Sequence, residues 1–176
     1  MRKKVFLVFS VSAVLVMLNL PFVRVLSISN RKNRSERIYS RAAFEQGFAI
    51  SYTHSVNKGR VHDFYRAAQN GGLELFMTEF VSYGAGIPEA SETEGAHFRV
   101  TQNGYVIEDL NRVLPRLLMV VGVVAEHSVT ITNEPSPLET DFGTEFFLKD
   151  FFKPQTSLVF EAKRVSLVNY FMTKRI

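Results

Sequence analysis

The side chains best suited to chemistry lie close together in the first half of the sequence. His54 and His62 are separated by one short segment, and Asp63 follows His62 directly. Imidazole and carboxylate groups are suitable ligands for Zn²⁺ or Mn²⁺. Together with Ser55, they are also the residue types that acyl transfer requires. One hypothesis is therefore a metal-dependent or hydrolytic enzyme that uses His54, His62 and Asp63.

The arrangement of these residues does not favour catalysis. Ser55 follows His54 directly, and adjacent residues of a strand point to opposite faces, so the two cannot form a nucleophile–base pair. The sequence contains no Gly-x-Ser-x-Gly nucleophile motif. The simpler interpretation is that the histidines are hydrogen-bonded structural residues. We therefore predict no catalytic residue, no bound metal and no cofactor.

A β-hairpin is predicted to position these side chains. Apolar and aromatic residues occupy alternate positions from Phe48 to Val56, interrupted only by His54, which is typical of a strand. Asn57-Lys58-Gly59 supplies a polar turn, and a second strand follows it. Across this hairpin, we expect His54 to lie near His62 or Asp63.

The rest of the chain predicts an all-β domain. Turn signals such as Asn70-Gly71-Gly72 recur about every ten residues, between short segments that alternate like strands. Residues 117–125 are continuously apolar and predict a buried strand, and residues 165–172 predict a last strand. We expect an antiparallel sandwich or a partly open barrel.

An apolar segment precedes this domain. Residues 1–4 are cationic, and residues 5–23 carry no charge, a length that would just span a hydrocarbon core of about 30 Å as a helix. We predict an N-terminal transmembrane signal anchor, with a cleaved signal peptide as the alternative, because Ser27 and Ser29 offer a signal peptidase small residues. The predicted division is residues 1–24 for the anchor or signal peptide, residues 25–41 for a basic linker or first strand, and residues 42–176 for a β-rich extracytoplasmic domain.

Composition and charge exclude several classes of protein. The chain has no cysteine, which rules out disulfides and cysteine-bound zinc. Residues 1–41 hold nine Lys or Arg and one acidic residue, which gives a net charge of +8. Residues 42–176 hold twelve Lys or Arg and sixteen acidic residues, which gives a net charge of −4. Nucleic-acid binders carry their positive charge on the folded domain, so we expect no nucleic-acid partner. The basic residues Arg31, Lys32, Arg34 and Arg37 would then lie near the outer leaflet, either as part of a solvated linker or held there by anionic lipid.

Two short motifs flank the second strand of the predicted hairpin. The first is Tyr-Thr-His-Ser-Val at residues 52–56, and the second is Thr-Glu-Phe-Val-Ser-Tyr-Gly-Ala-Gly-Ile-Pro at residues 78–88. Together they resemble a bacterial family catalogued as domain of unknown function 1850, over roughly residues 48–131. The sequence departs from the family pattern at Asn57, where many members have an acidic residue. This departure argues against any ligand or metal role that needs a carboxylate there.

The resemblance implies a cellular location for the protein but does not identify a reaction. Members look like small exported or membrane-anchored β proteins. Their genes often neighbour, or are fused to, permeases of the tripartite ATP-independent periplasmic (TRAP) transporters that use TAXI-type solute-binding proteins. The family has no established activity, so no catalytic residue can be carried over.

We therefore expect an accessory, non-enzymatic binding or interaction domain of a TAXI-type TRAP solute transport system. It would be anchored in the cytoplasmic membrane by a single pass, with the domain on the extracytoplasmic side, and its partners would be the permease or the solute-binding protein. A purely structural protein of the cell envelope is a further alternative. The hypothetical ligand or partner surface comprises His54, Ser55, Asp63, Tyr83, Gly84 and Gly86.

Overall fold

Strands are the main secondary structure of the protein. The computed structural model describes residues 2–56, 58–69, 71–82, 94–102, 104–132 and 144–176. The strands within these ranges are β1 (Pro21–Asn30), β2 (Arg37–Ser40), β3 (Phe48–Thr53), β4 (Arg60–Ala67), β5 (Leu73–Phe80), β6 (His97–Val100), β7 (Tyr105–Glu108), β8 (Arg112–Leu114), β9 (Leu117–Val120), β10 (Ser128–Ile131), β11 (Glu145–Phe147), β12 (Ser157–Ser166) and β13 (Lys174–Arg175). The helices are α1 (Arg2–Asn19), α2 (Arg41–Gln46) and α3 (Leu167–Met172), with a 3-10 turn at Leu148–Asp150.

The strands form two sheets. The first sheet has the order β13-β2-β1-β12-β9, and the second has the order β11-β10-β3-β4-β5-β7-β6, with β8 also paired to β5. Neighbouring strands are antiparallel, except that β13 runs parallel to β2. Neither sheet closes on itself within the described residues. The prediction of an all-β antiparallel fold is confirmed, and the fold is sandwich-like, not a closed barrel.

Aliphatic and aromatic side chains between the two sheets form the main core. Phe48 and Ile50 of β3 are buried there, on the face that the alternation predicts. Phe160 of β12 meets them from the first sheet, and its ring stacks on that of Phe48 with the ring centroids 6.4 Å apart. The period-two pattern of β3 therefore identifies the inner face of the second sheet correctly.

The opposite face of the second sheet, its outer face, is buried as well. Ala49, Phe64, Met77 and Val106 form an apolar cluster there, on four successive strands from β3 to β7. Strands that are buried on both faces carry apolar residues at nearly every position. This explains why β5 shows no clean alternation.

The N-terminal apolar segment divides into two elements. α1 ends at Asn19, and Pro21 already pairs with Ser166 in the first sheet, so the apolar residues after the helix belong to β1. Within the part of the chain that the structure describes, no helix is long and apolar enough to cross a membrane. The predicted transmembrane helix over residues 1–24 is therefore not supported. Residues 25–41 contain most of β1 and all of β2.

Two other apolar segments differ from their predictions. The sequence predicts a buried strand at residues 117–125, but β9 is the edge strand of the first sheet. Leu118, Val120, Val123 and Val124 are exposed, whereas Val121 is buried. Residues 165–172 were predicted as a strand, but β12 ends at Ser166 and α3 follows. The Ser166 hydroxyl accepts a hydrogen bond from the backbone N–H of Asn169, which caps this helix.

Candidate functional site

His54 lies in the loop between β3 and β4. The ladder between these strands ends at the pair Thr53 and Arg60, so His54 is outside the sheet. Its backbone N–H donates to the carbonyl of Gly59 at 2.8 Å, and its ring Nδ1 accepts from the backbone N–H of Val56 at 3.3 Å. Ser55 is exposed beside it. His54 therefore helps to close its own loop.

Asp63 faces the interior between the two sheets. It pairs across the strands with Ile50 and Thr78, and the Thr78 hydroxyl donates to its carboxylate at 2.6 Å. The Tyr52 hydroxyl also donates to this carboxylate. Burial raises the pKa of Asp63 to about 6, although these two hydrogen bonds act in the opposite direction. Asp63 is therefore a half-buried group on the inner face of the second sheet.

His62 lies on the outer face of the second sheet. It pairs with Ser51 on β3 and with Glu79 on β5, and its Nδ1 is 2.7 Å from the Ser51 hydroxyl. Burial, with a smaller contribution from the positive charge of Arg60, lowers the pKa of His62 to about 4. The imidazole is therefore neutral at neutral pH. Ser51 is only 1% exposed, so its hydroxyl is not accessible to a substrate.

The three residues of the enzyme hypothesis do not converge. His62 and Asp63 point to opposite faces of the same strand, and His54 lies in the adjoining loop. Across the described residues, no three or more side chains of the metal-binding types are grouped closely enough to hold a metal ion. The geometry therefore gives no support to a catalytic centre of His54, His62 and Asp63. Tyr83, Gly84 and Gly86, which complete the predicted ligand or partner surface, lie outside the described residues.

A polar cluster that no sequence motif indicates surrounds Arg60, at the start of β4. The Arg60 guanidinium donates to the Ser128 hydroxyl at 3.0 Å, to the backbone carbonyl of Glu126 at 3.1 Å and to the carboxylate of Glu145. The Ser128 hydroxyl donates to the same carboxylate. Because Ser128 lies opposite Ser51, this cluster adjoins the pair of Ser51 and His62.

Together, the Arg60 cluster and the Ser51–His62 pair hold four strands in register. They join β4, β3, β10 and β11 on the outer face, where Ser51 and Ser128 are buried. The ladder between β3 and β4 ends at the pair of Thr53 and Arg60, and the loop that contains His54 lies directly beyond it. The arrangement can stabilise that loop as a fixed surface. With both serines enclosed, the network is suited to structure and not to nucleophilic catalysis.

Replacing Arg60 by alanine is expected to lower the free energy of unfolding by about 2 kcal/mol, because the variant loses hydrogen bonds to a charged donor. Arg60→Lys should lose about half as much, since lysine keeps the charge but not the planar fork that reaches three acceptors. Urea unfolding of both variants measures these differences. A value for Arg60→Ala within about 0.5 kcal/mol of wild type, the range of an ordinary surface substitution, would contradict the assigned role.

Comparison with known proteins assigns the central region of the chain to a family. No curated protein and no solved structure matches the chain. A family model matches residues 48–138, just over half of the sequence, and the match begins at the first residue of β3. The matched range contains the Tyr-Thr-His-Ser-Val motif and the whole of the second motif. The chain therefore belongs to the family described as Domain of unknown function (DUF1850).

Proposed function

We propose that the protein is an accessory, non-enzymatic binding or interaction domain, held at the outer face of the cytoplasmic membrane and associated with a TAXI-type TRAP transport system. The exposed apolar surface of α1 is the observation that carries this proposal. Residues 1–4 are cationic and residues 5–23 carry no charge, a pattern typical of export signals, which supports the extracytoplasmic side.

α1 exposes large apolar side chains along its length. Phe6 and Phe9 are each 74% exposed, and Leu15 and Met17 are 56% and 63% exposed. Complete burial of one such side chain contributes about 1.5–3 kcal/mol, so several of them together provide stable attachment to a bilayer. Contiguous exposed apolar surface of this kind marks a site of interaction with a membrane or another protein.

α3 extends this apolar surface. It lies against α1, and its Phe171 and Met172 are 65% and 82% exposed. The Arg175 guanidinium donates to the backbone carbonyls of Tyr170 and Phe171, so a positive charge stands beside the apolar side chains. Apolar side chains next to cations are typical of segments that lie at a membrane interface.

The edge of the first sheet supports a role in binding another protein. β9 has no neighbouring strand on its outer side within the described residues. Leu118 and Val120 on this strand, and Val123 and Val124 after it, are between 46% and 75% exposed. An exposed apolar edge strand is a ready surface for strand addition or apolar docking. We assign this edge to a component of the transporter, an association that the family resemblance supports.

Two pairs of charge substitutions separate the membrane part of the proposal from the partner part. Val14→Glu with Val16→Glu alters α1, and Val123→Glu with Val124→Glu alters the segment after β9. Because one charged side chain in hydrocarbon costs about 3 kcal/mol, the α1 variant is expected to bind vesicles at least about 100-fold more weakly. The β9 variant should bind vesicles like wild type. In affinity capture from solubilised membranes, the wild type and the α1 variant should retain the permease or solute-binding protein, and the β9 variant should lose it.

The vesicle measurement can refute the proposed membrane attachment, and the affinity capture can refute the proposed association with a transporter. All four valines are more than half exposed, so both variants should unfold at the wild-type midpoint. Unchanged vesicle binding by the α1 variant would rule out attachment through α1. Capture of no transporter component by the wild-type protein would rule out the transporter association and leave the structural envelope protein as the better hypothesis.

A further inference from the structure

Two arginines face each other across the first sheet. Arg24 of β1 and Arg164 of β12 are direct cross-strand neighbours, which places their Cβ atoms about 5 Å apart on the same face. Within the described part of the chain, neither guanidinium forms an ion pair or hydrogen bond. Like charges in this arrangement destabilise a sheet. An anion that binds both guanidinium groups would remove this repulsion.

The arginine pair lines a cleft at one end of the sandwich. The cleft has a volume of about 330 Å³, and Phe44 of α2 and Gln69 and Gly71 of the turn between β4 and β5 also line it. No acidic residue is among its described lining residues. A guanidinium presents a planar fork of donors that matches the oxygens of a phosphate. The cleft is thus suited to a phosphate group.

Exposed apolar side chains begin directly beside this cleft. Leu20 and Phe22 precede Arg24 and are each 51% exposed, and they continue towards the end of α1 at Asn19. Arg164 lies near the end of β12, and α3 begins directly after that strand. A free phosphate would use only the arginines. A phosphate that carries acyl chains would contact both the arginines and the apolar surface.

We infer that Arg24 and Arg164 together bind the phosphate of an anionic phospholipid in the membrane to which α1 attaches. This inference rests on the proposed function and specifies how the domain meets the bilayer. The phosphate lies between the two guanidinium groups, and Leu20 and Phe22 face the acyl chains. The end of the first sheet that adjoins α1 and α3 therefore points towards the membrane.

The test measures binding of the full chain to two kinds of vesicle. One kind consists of phosphatidylcholine alone, and the other also contains phosphatidylglycerol. A basic residue at an anionic surface contributes about 1 kcal/mol, so the double variant Arg24→Gln/Arg164→Gln is expected to bind the phosphatidylglycerol vesicles about 30-fold more weakly than wild type. On phosphatidylcholine vesicles, the two proteins should bind equally well. The variant should unfold at or above the wild-type midpoint, because it lacks the repulsion between the arginines.

Arg31→Gln/Lys32→Gln is the matched control. Both residues are exposed and lie just after the end of β1, about 20 Å from Arg24 along the strand direction. The control therefore removes the same amount of charge at a distant position. It should weaken binding to phosphatidylglycerol vesicles less than about threefold, since only long-range charge is lost. An equal loss in both double variants would show that net charge alone acts, and would overturn the inference.

Two further outcomes are decisive. Wild-type binding to phosphatidylcholine without any gain from phosphatidylglycerol would refute the arginine site and leave the attachment through α1 intact. Failure to bind either kind of vesicle would refute both proposals. If inorganic phosphate binds the wild type but not the arginine variant, while both proteins bind the phosphatidylglycerol vesicles equally well, the cleft would be assigned to free phosphate instead of lipid.

Discussion

Replacing Phe48 by alanine is expected to lower the free energy of unfolding by about 4 kcal/mol, the typical cost of emptying a fully buried aromatic position. Phe48 is 1% exposed and stacks on Tyr65 of its own sheet, with ring centroids 5.4 Å apart, and on Phe160 of the other sheet. Removing the ring therefore opens a cavity at the contact between the two sheets. Because domains of this kind are stable by only about 5–15 kcal/mol, the loss is a large fraction of the total. Urea unfolding followed by fluorescence or circular dichroism measures it.

Two controls show whether this loss comes from the cavity. Phe48→Leu keeps most of the buried volume and should cost only about 1 kcal/mol. Phe98→Ala makes the same change on the edge strand β6, where the ring is 37% exposed, and should also cost about 1 kcal/mol. If Phe48→Ala were no more harmful than Phe98→Ala, the position of Phe48 between the sheets would be in error.

The strands of the second sheet were predictable because alternate residues face the core on the inner side of that sheet, and this produces an alternation of apolar residues in the sequence. Phe48, Ile50 and Tyr52 alternate in the sequence, and the first two are buried in the main core. The N-terminal boundary was not predictable from hydropathy, since a helix and a buried strand both need apolar residues. Val23 and Val25 are apolar because β1 buries them, not because a helix continues. Pro21 was the available signal, because helices usually end before the residue that precedes a proline.

The candidate site was only partly predictable, because its contacts depend on long-range strand pairing. Alternation places His62 and Asp63 on opposite faces, which the structure shows. The Arg60 cluster requires β10 to pair with both β3 and β11, and no feature of the sequence gives that register. The loop that contains His54 was also missed. β3 ends at Thr53, and the His54 ring then accepts a hydrogen bond inside its own loop instead of joining the ladder.

Asp63→Asn is expected to become more stable relative to wild type as pH rises, by up to about 3 kcal/mol between pH 4 and pH 7. The pKa of Asp63 is raised by burial from 3.8 to about 6, a difference that corresponds to about 3 kcal/mol. A carboxyl group whose pKa is higher in the folded state stabilises that state below pH 3.8, and this stabilisation is lost as pH rises through about 6. The carbonyl oxygen of asparagine can accept the hydrogen bond from the Thr78 hydroxyl without carrying a charge, so the variant avoids the loss.

His62→Asn should show the opposite dependence. Burial lowers the pKa of His62 from 6.5 to about 4, so its contribution to stability is complete above pH 6.5 and is lost as pH falls towards 4. Because the ring is partly exposed, we expect about 2 kcal/mol, and this variant should become more stable relative to wild type as pH falls. In the wild type the two groups offset each other.

The measurement is urea unfolding of the wild type and both variants at several pH values from 4 to 7. Asp150→Asn is the control for the substitution itself, because it replaces an exposed carboxylate. Differences of opposite sign for the two variants require one charge-bearing group buried on each face of β4, as the structure places them. A pH-independent difference for Asp63→Asn would mean that its carboxylate is open to water, and the surface around Asp63 would again be a candidate for binding a ligand or partner.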